Sequence, residues 1–212
     1  MIDGASTDGT LEKLEASRDK ISSLVSEPDD GIYSALNRGI ALATGEVVGF
    51  LHGDDYYVSS DCLTYVAAAF EDPDLDAVYG DLEYVDRKKP DLVVRRWKSS
   101  DFRPGMLARG WMPPHPTLYV RKKWYELLGG FDSHFKIAAD YAWILRLFSQ
   151  SELRAQYLPH SLVRMSTGGI SNRSLRNIVL KSREDLTALR RSGVGGFGAL
   201  LGKNFSKIGQ LL

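Results

Sequence analysis

The chain has 212 residues, 43% hydrophobic and 25% charged, enough to bury a core without disulfides or a structural metal. That composition excludes global disorder, a collagen-like repeat and a coiled coil. The single cysteine, Cys62, rules out an intrachain disulfide, argues against a cysteine-based zinc site and fits a reducing cytoplasm. No apolar run reaches the ~18 residues of a membrane span, and Met1-Ile2-Asp3-Gly4 lacks a signal-peptide pattern. Lys plus Arg equal Asp plus Glu at 27 each, but the balance is uneven. Residues 173–212 carry eight basic and two acidic side chains (Glu184 and Asp185), net +6, so residues 1–172 are net −6. An acidic body argues against nucleic-acid binding, and a basic tail suits an anionic surface.

In chain order, residues 2–10 read as a strand end, a loop and a helix cap at Thr7 or Asp8. A domain rarely starts on a strand end, so a preceding unit is expected. Residues 21–25 suit a short strand, and 26–31 a loop. Ile32, Leu36 and Ile40 recur at helical spacing, with a stop near Gly45. Residues 46–51 form a near-continuous apolar run, as in a strand buried on both faces, and His52-Gly53-Asp54-Asp55 follows. A helix is expected around Leu63–Phe70 and a strand at Ala77–Tyr79, ending in Gly80-Asp81. Leu92–Val94 suits an edge strand, and four prolines between 104 and 116 shape a long loop. Then come a strand at 117–120, a short helix closed by Gly129-Gly130, a helix over 139–148 and a strand at 153–158. An amphipathic helix over 174–191, a glycine-rich joint at 193–198 and a short apolar, basic tail end the chain. The alternation predicts an open, mostly parallel α/β sheet with helices on both faces.

In such sheets ligands bind beyond the carboxyl ends of the strands. Asp3, Asp54-Asp55 and Asp81 fall at such ends, and Asp29-Asp30 precedes a helix. Adjacent carboxylates repel unless a cation joins them, and Mg²⁺ or Mn²⁺ takes one or two carboxylates plus substrate phosphates. The alternative is a polar turn with Asp55 capping a helix. Asp140, at a helix start among apolar residues, suits a general base or simply a helix-terminal acid. His115, between Pro114 and Pro116, suits either a phosphate donor or a structural role. Dinucleotide, P-loop and nucleophile-elbow motifs are absent.

Six segments in order carry a family resemblance. They are residues 2–10 (IDGASTDGT), 26–39 (SEPDDGIYSALNRG), 49–55 (GFLHGDD), 115–120 (HPTLYV), 129–132 (GGFD) and 138–141 (AADY). Together they resemble the family 2 glycosyltransferases, inverting enzymes of the GT-A fold. The resemblance implies that Asp3, Asp29 and Gly31 line the nucleotide, and that Asp54 and Asp55 hold ribose and a metal-diphosphate. Asp55 is then the better metal ligand, with Mn²⁺ or Mg²⁺ as cofactor. It implies Asp140 as the base that deprotonates an acceptor hydroxyl, with His115 and Arg164 on the donor side. The donor is a nucleotide diphosphate sugar, and the acceptor a glycan or lipid-linked sugar. Residues 1–172 form the catalytic domain, lacking the family's first strand-helix unit, and 173–212 an appended helix and basic tail. That tail either contacts the inner membrane face or packs on the domain. A non-catalytic nucleotide-sugar-binding remnant is the main alternative. A nucleotidyltransferase is a second, against which the 115–117 and 138–141 segments argue.

Overall fold

A computed structural model describes residues 1–168 and 175–205. Strands β1 (Ile2–Asp3) and β2 (Val25–Ser26) pair in parallel as a small sheet, linked by helix α1 (Thr10–Glu15). Helix α2 (Ile32–Leu42) follows, and its apolar stripe packs back on β1, where Gly39 faces Ile2. The second sheet has six strands: β3 (Val47–Val48), β4 (Asp55–Tyr57), β5 (Ala77–Val85), β6 (Val93–Trp97), β7 (Tyr119–Arg121) and β8 (Ala155–Ser166). Their order is β3-β7-β5-β8-β4, with β6 beside β5. β5 and β8 run parallel, and the other pairs of this sheet are antiparallel. The architecture is therefore α/β, with β5 at its centre.

β5 is buried on both faces, which explains the unbroken Ala77-Val78-Tyr79 run. Ala77 and Tyr79 face one core with Trp143, Ile144 and Leu147 of α5 (Ala139–Phe148), while Val78 and Leu82 face a second. There, Cys62 and Val66 of α3 (Cys62–Ala69) cover them. Helices thus lie on both faces. A short α4 (Lys123–Leu128) precedes α5.

Several boundaries differ from expectation. The apolar run over 46–51 contributes only Val47–Val48 to the sheet. Asp55–Tyr57, for which no strand was expected, is a strand because β8 supplies its ladder, and Asp55 caps no helix. β8 continues well past Leu158: across Pro159 it places three residues between Tyr157 and Ser161 where β5 places one, Gly80, between Tyr79 and Asp81. That bulge accommodates a residue with no N–H to donate.

The C-terminal segment is the largest correction. α6 (Leu175–Arg191) matches the expected amphipathic helix, but residues 197–205, expected as a tail beyond a flexible joint, form a further helix, α7 (Phe197–Phe205). It packs on the 3-10 turn Leu107–Arg109 and buries Ala199, Leu200 and Lys203. Glycines permit that contact: a Cβ on Gly202 would stand 2.1 Å from the Arg109 carbonyl oxygen, and one on Gly110 would stand 2.2 Å from the Lys203 nitrogen. Arg173, Lys207, Ile208 and Leu211, part of the expected basic and apolar tail, lie outside the described residues, as do Gly169, Ile170 and Ser171. Among the described residues no helix is long and apolar enough to cross a membrane.

Candidate active site

The expected site residues fall into two groups. The first surrounds the small sheet. Asp3 ends β1, is buried, and accepts hydrogen bonds from Ser26 Oγ (2.6 Å), Ser6 Oγ (2.5 Å) and the Ser6 N–H (3.0 Å). These bonds, Ser26 foremost, hold its pKa below the ordinary carboxylate value. Three of about four acceptor positions are occupied, so Asp3 also fixes its own loop. In that loop Ala5 is the one described non-glycine residue with positive φ, at 61°. Asp29 accepts from the Gly31 N–H (2.8 Å), and its carboxylate lies against Gly4, 3.0 Å from where a Cβ would stand. The loops carrying Asp3, Asp29 and Gly31 therefore meet, as expected. Gly31, at φ 116°, opens α2 in a conformation that favours glycine.

The second group sits at the head of the six-stranded sheet. Asp54 is exposed in the turn before β4, while Asp55 is buried as the first residue of β4. Among the described residues neither carboxylate oxygen of Asp55 has a partner. Burial, with the neighbouring Asp54 charge, pushes its pKa up to about 7. A buried carboxylate with both oxygens unpartnered is suited to a cation that the chain itself does not supply. Among the described residues no cluster of three or more His, Cys, Asp or Glu is present, so substrate phosphates would have to complete the coordination.

Asp140 lies in the first turn of α5 and accepts a hydrogen bond from Tyr33 Oη at 3.2 Å. Its charge reaches groups on four other elements. It opposes the burial that lowers the pKa of His52, and that which pulls buried His115 down to about 4. It also adds to the burial that raises the phenols of Tyr33 and Tyr84. Contacts link the two carboxylates: the Asp55 N–H donates to the His52 carbonyl (3.0 Å), the His52 ring neighbours that of His115, His115 and Tyr33 both pack on Phe131, and Tyr33 Oη reaches Asp140. Thr117 Oγ1 fixes the His115 turn to β5 by donating to the Gly80 carbonyl (2.8 Å). His115 stacks on Phe50, its ring centre lies 6.3 Å from that of His52, and its Nε2 is buried without a partner. Both imidazoles are disfavoured as cations, so they suit neutral hydrogen bonding to hydroxyl groups.

Strand register separates Arg164 from this site. Cross-strand partners project to the same face. One row across the sheet is Asp55, Met165, Tyr84, Arg95, and the next is Tyr56, Arg164, Glu83, Arg96. Adjacent rows point to opposite faces, so Arg164 lies across the sheet from Asp55. Its Nε donates to buried Glu83 at 2.9 Å, and Arg96 approaches the same carboxylate at 3.5 Å. The expectation that Arg164 faces the diphosphate is corrected accordingly. Arg95 shares the Asp55 face, its guanidinium carbon 4.6 Å from the Tyr84 ring centre.

Tyr33, His52, Tyr84 and Arg95 were not singled out from the sequence. Tyr33 and His52 lie inside quoted motifs and adjoin flagged residues, which was the available signal. Tyr84 and Arg95 carry none, because only the pairing of β4, β8, β5 and β6 brings them to the site.

Residues 1–139 match the family model described as glycosyl transferase family 2. A PGL/p-HBAD biosynthesis glycosyltransferase of Mycobacterium bovis is 30% identical over 182 residues, covering 81% of this chain and 66% of the relative. The chain thus spans just under two thirds of that relative's length. The mannosyltransferase PcManGT of Pyrobaculum calidifontis, solved with GDP-Man and Mn²⁺, superposes with a TM-score of 0.63 at 19% identity, covering 97% of this chain and 59% of that one. TarS of S. aureus, residues 1–349 with UDP, gives a TM-score of 0.58 at 18% identity, covering 89% and 54%.

Proposed function

The chain belongs to glycosyl transferase family 2, and we propose that it moves a sugar from a nucleotide diphosphate sugar to an acceptor hydroxyl in one inverting displacement. The observation that carries this reading is the pairing of two unlike carboxylates at one sheet end. Asp55 is buried with both oxygens unpartnered, and Asp140 is half-buried with one oxygen held by Tyr33. The first suits a metal-bound diphosphate, the second a proton acceptor.

Asp140 takes the proton of the acceptor hydroxyl as that oxygen attacks the anomeric carbon. The nucleoside diphosphate leaves from the opposite face, so the configuration inverts. Asp55, with Asp54, would hold Mn²⁺ or Mg²⁺, which when bound stabilises negative charge on the leaving phosphates. The Mn²⁺ and GDP-Man in the structural neighbour support this assignment. The joined loops of Asp3, Asp29 and Gly31 receive the nucleotide, and neutral His52 and His115 hydrogen-bond sugar hydroxyls. A lipid-linked glycan is the proposed acceptor. Exposed Ile178 and Val179 on α6 and Phe197 and Leu201 on α7 support a peripheral contact with the cytoplasmic membrane face.

Calorimetry with UDP and GDP, with and without Mn²⁺, tests the donor site. The expected result is metal-dependent binding that Asp55→Ala abolishes. Asp140→Asn keeps that binding and lowers transfer by about 100-fold or more. Binding that ignores Mn²⁺ and Asp55, or full transfer by Asp140→Asn, overturns the reading.

A further inference from the structure

The basic C-terminal segment holds two acidic residues, adjacent on α6, and both point into the protein. Glu184 accepts hydrogen bonds from three consecutive backbone N–H groups: Lys136 and Ile137 at 2.9 Å, and Ala138 at 3.0 Å. Asp185, almost fully buried, pairs with Lys181 at 2.9 Å and Lys203 at 2.8 Å. Burial works against ionising Asp185, but the two ammoniums outweigh it and keep the carboxyl below its ordinary pKa.

These contacts bracket Asp140. Residues 136–138 run directly into α5, and Asp140 is its second residue. The Ile137-Ala138-Ala139 sequence offers no side chain able to cap that helix, and its N-cap residue, Ala138, makes no side-chain cap bond. Glu184 fixes the lead-in from outside. The Ile137 residue is held on both sides: its N–H goes to Glu184, and its carbonyl accepts from Tyr33 Oη at 2.6 Å. The same hydroxyl contacts Asp140 Oδ1. On the other side of Asp140, Lys203 Nζ lies 3.2 Å from the Tyr141 ring centre. The backbone carrying Asp140 is thus clamped by residues 44 to 63 positions further along the chain.

We propose that Glu184 is a positioning residue for Asp140, which makes α6 and α7 part of the catalytic machinery rather than an appendage. The proposal rests on the reading of Asp140 as the base. Glu184 touches no reacting atom; it sets where the Asp140 carboxylate stands relative to the acceptor hydroxyl. A small misplacement of such a group costs rate with little effect on donor affinity.

Glu184→Gln and Glu184→Ala in the full chain test this in two ways. The first is amide hydrogen exchange at residues 136–138, which needs no turnover. The expected result is exchange faster by about tenfold in Glu184→Ala and by less in Glu184→Gln, with the α5 amides 143–148 unchanged. The Gln variant keeps the shape and one acceptor oxygen but turns its NH₂ toward N–H donors. The second is transfer from UDP-glucose, UDP-GlcNAc or GDP-mannose. Glu184→Ala lowers kcat by about 100-fold, leaves the UDP dissociation constant in place, and adds no further loss in an Asp140→Asn background. Unchanged exchange at 136–138 overturns the proposal. So does UDP affinity that falls with kcat, or a further loss in the double variant, since either makes Glu184 a general support of the fold. Full activity of the Asp140→Asn single variant instead removes the base reading, and with it the catalytic role of Glu184, even where the exchange result stands.

Discussion

Asp3 and Asp55 are both buried carboxylates at strand ends, and the protein leaves them in opposite states. Asp3 is satisfied by Ser6 and Ser26, and its pKa is lowered. The Asp55 carboxylate has no hydrogen-bond partner among the described residues, and its pKa is raised to about 7. The difference separates two uses of the same side chain. A carboxylate whose lone pairs are filled by its own loop shapes that loop. One held dry and unpaired at a sheet end stores a cost that an incoming cation removes. The same division runs through the rest of the site. Asp29 is bonded within its turn, whereas His115 Nε2 is buried without a partner near Asp140.

The largest expected effect puts opposite signs on the two aspartates. In metal-free protein at pH 8, Asp55→Asn removes a buried charge and raises unfolding free energy by about 3 kcal/mol. Asp3→Asn removes the acceptor that organises residues 3–6 and lowers the urea midpoint. Stability shifts of the same sign in both variants would break the comparison.

His115 extends it to acid. Its folded pKa, about 4, lies below the ordinary value of 6.5, because burial disfavours the cation. Between those values the unfolded chain binds the proton and the folded chain does not, so stability is lost as pH falls from about 6.5 toward 4. The loss amounts to about 2 kcal/mol by pH 5. His115→Gln, which cannot titrate, should flatten that part of the acid slope in urea titrations. An unchanged slope would show that His115 is not held neutral.

Much of this was legible in the sequence where the signal is local. The Ile32, Leu36, Ile40 stripe marked α2, and the helix over 139–148 has the bounds read from its apolar face. Strand-end position and adjacency marked Asp54-Asp55, and a helix start among apolar residues marked Asp140. What escaped depends on distant partners. β4 is three residues long and exists through β8, about 110 residues later. α7 starts inside the expected joint, with Gly198 in its first turn, and runs on through the expected tail, where Gly202 lets the helix touch the Arg109 backbone. Glu184 looked like one of two stray acids in a basic segment because its three donors lie 46 to 48 residues upstream. Arg164 failed for a related reason. The family resemblance put it on the donor side, and alternation along β8 turns it to the face opposite Asp55.

That alternation supplies the smallest but most selective prediction. Arg164 and Arg95 are both arginines on strands of one sheet, one row apart and on opposite faces. Arg164→Ala leaves Glu83 with Arg96 as its remaining ion-pair partner on that face and should cost about 1 kcal/mol of stability without changing substrate constants. Arg95 shares the Asp55 face but stands three strand spacings away, about 14 Å. On the proposed reading, that is too far for phosphates held at Asp55 and leaves Arg95 to the acceptor side of Tyr84. Arg95→Ala should therefore raise the acceptor KM by about fivefold and leave UDP affinity alone. If Arg164→Ala raised the acceptor KM and Arg95→Ala did not, the face assignment drawn from strand register would be wrong, and with it the placement of Tyr84 on the Asp55 face.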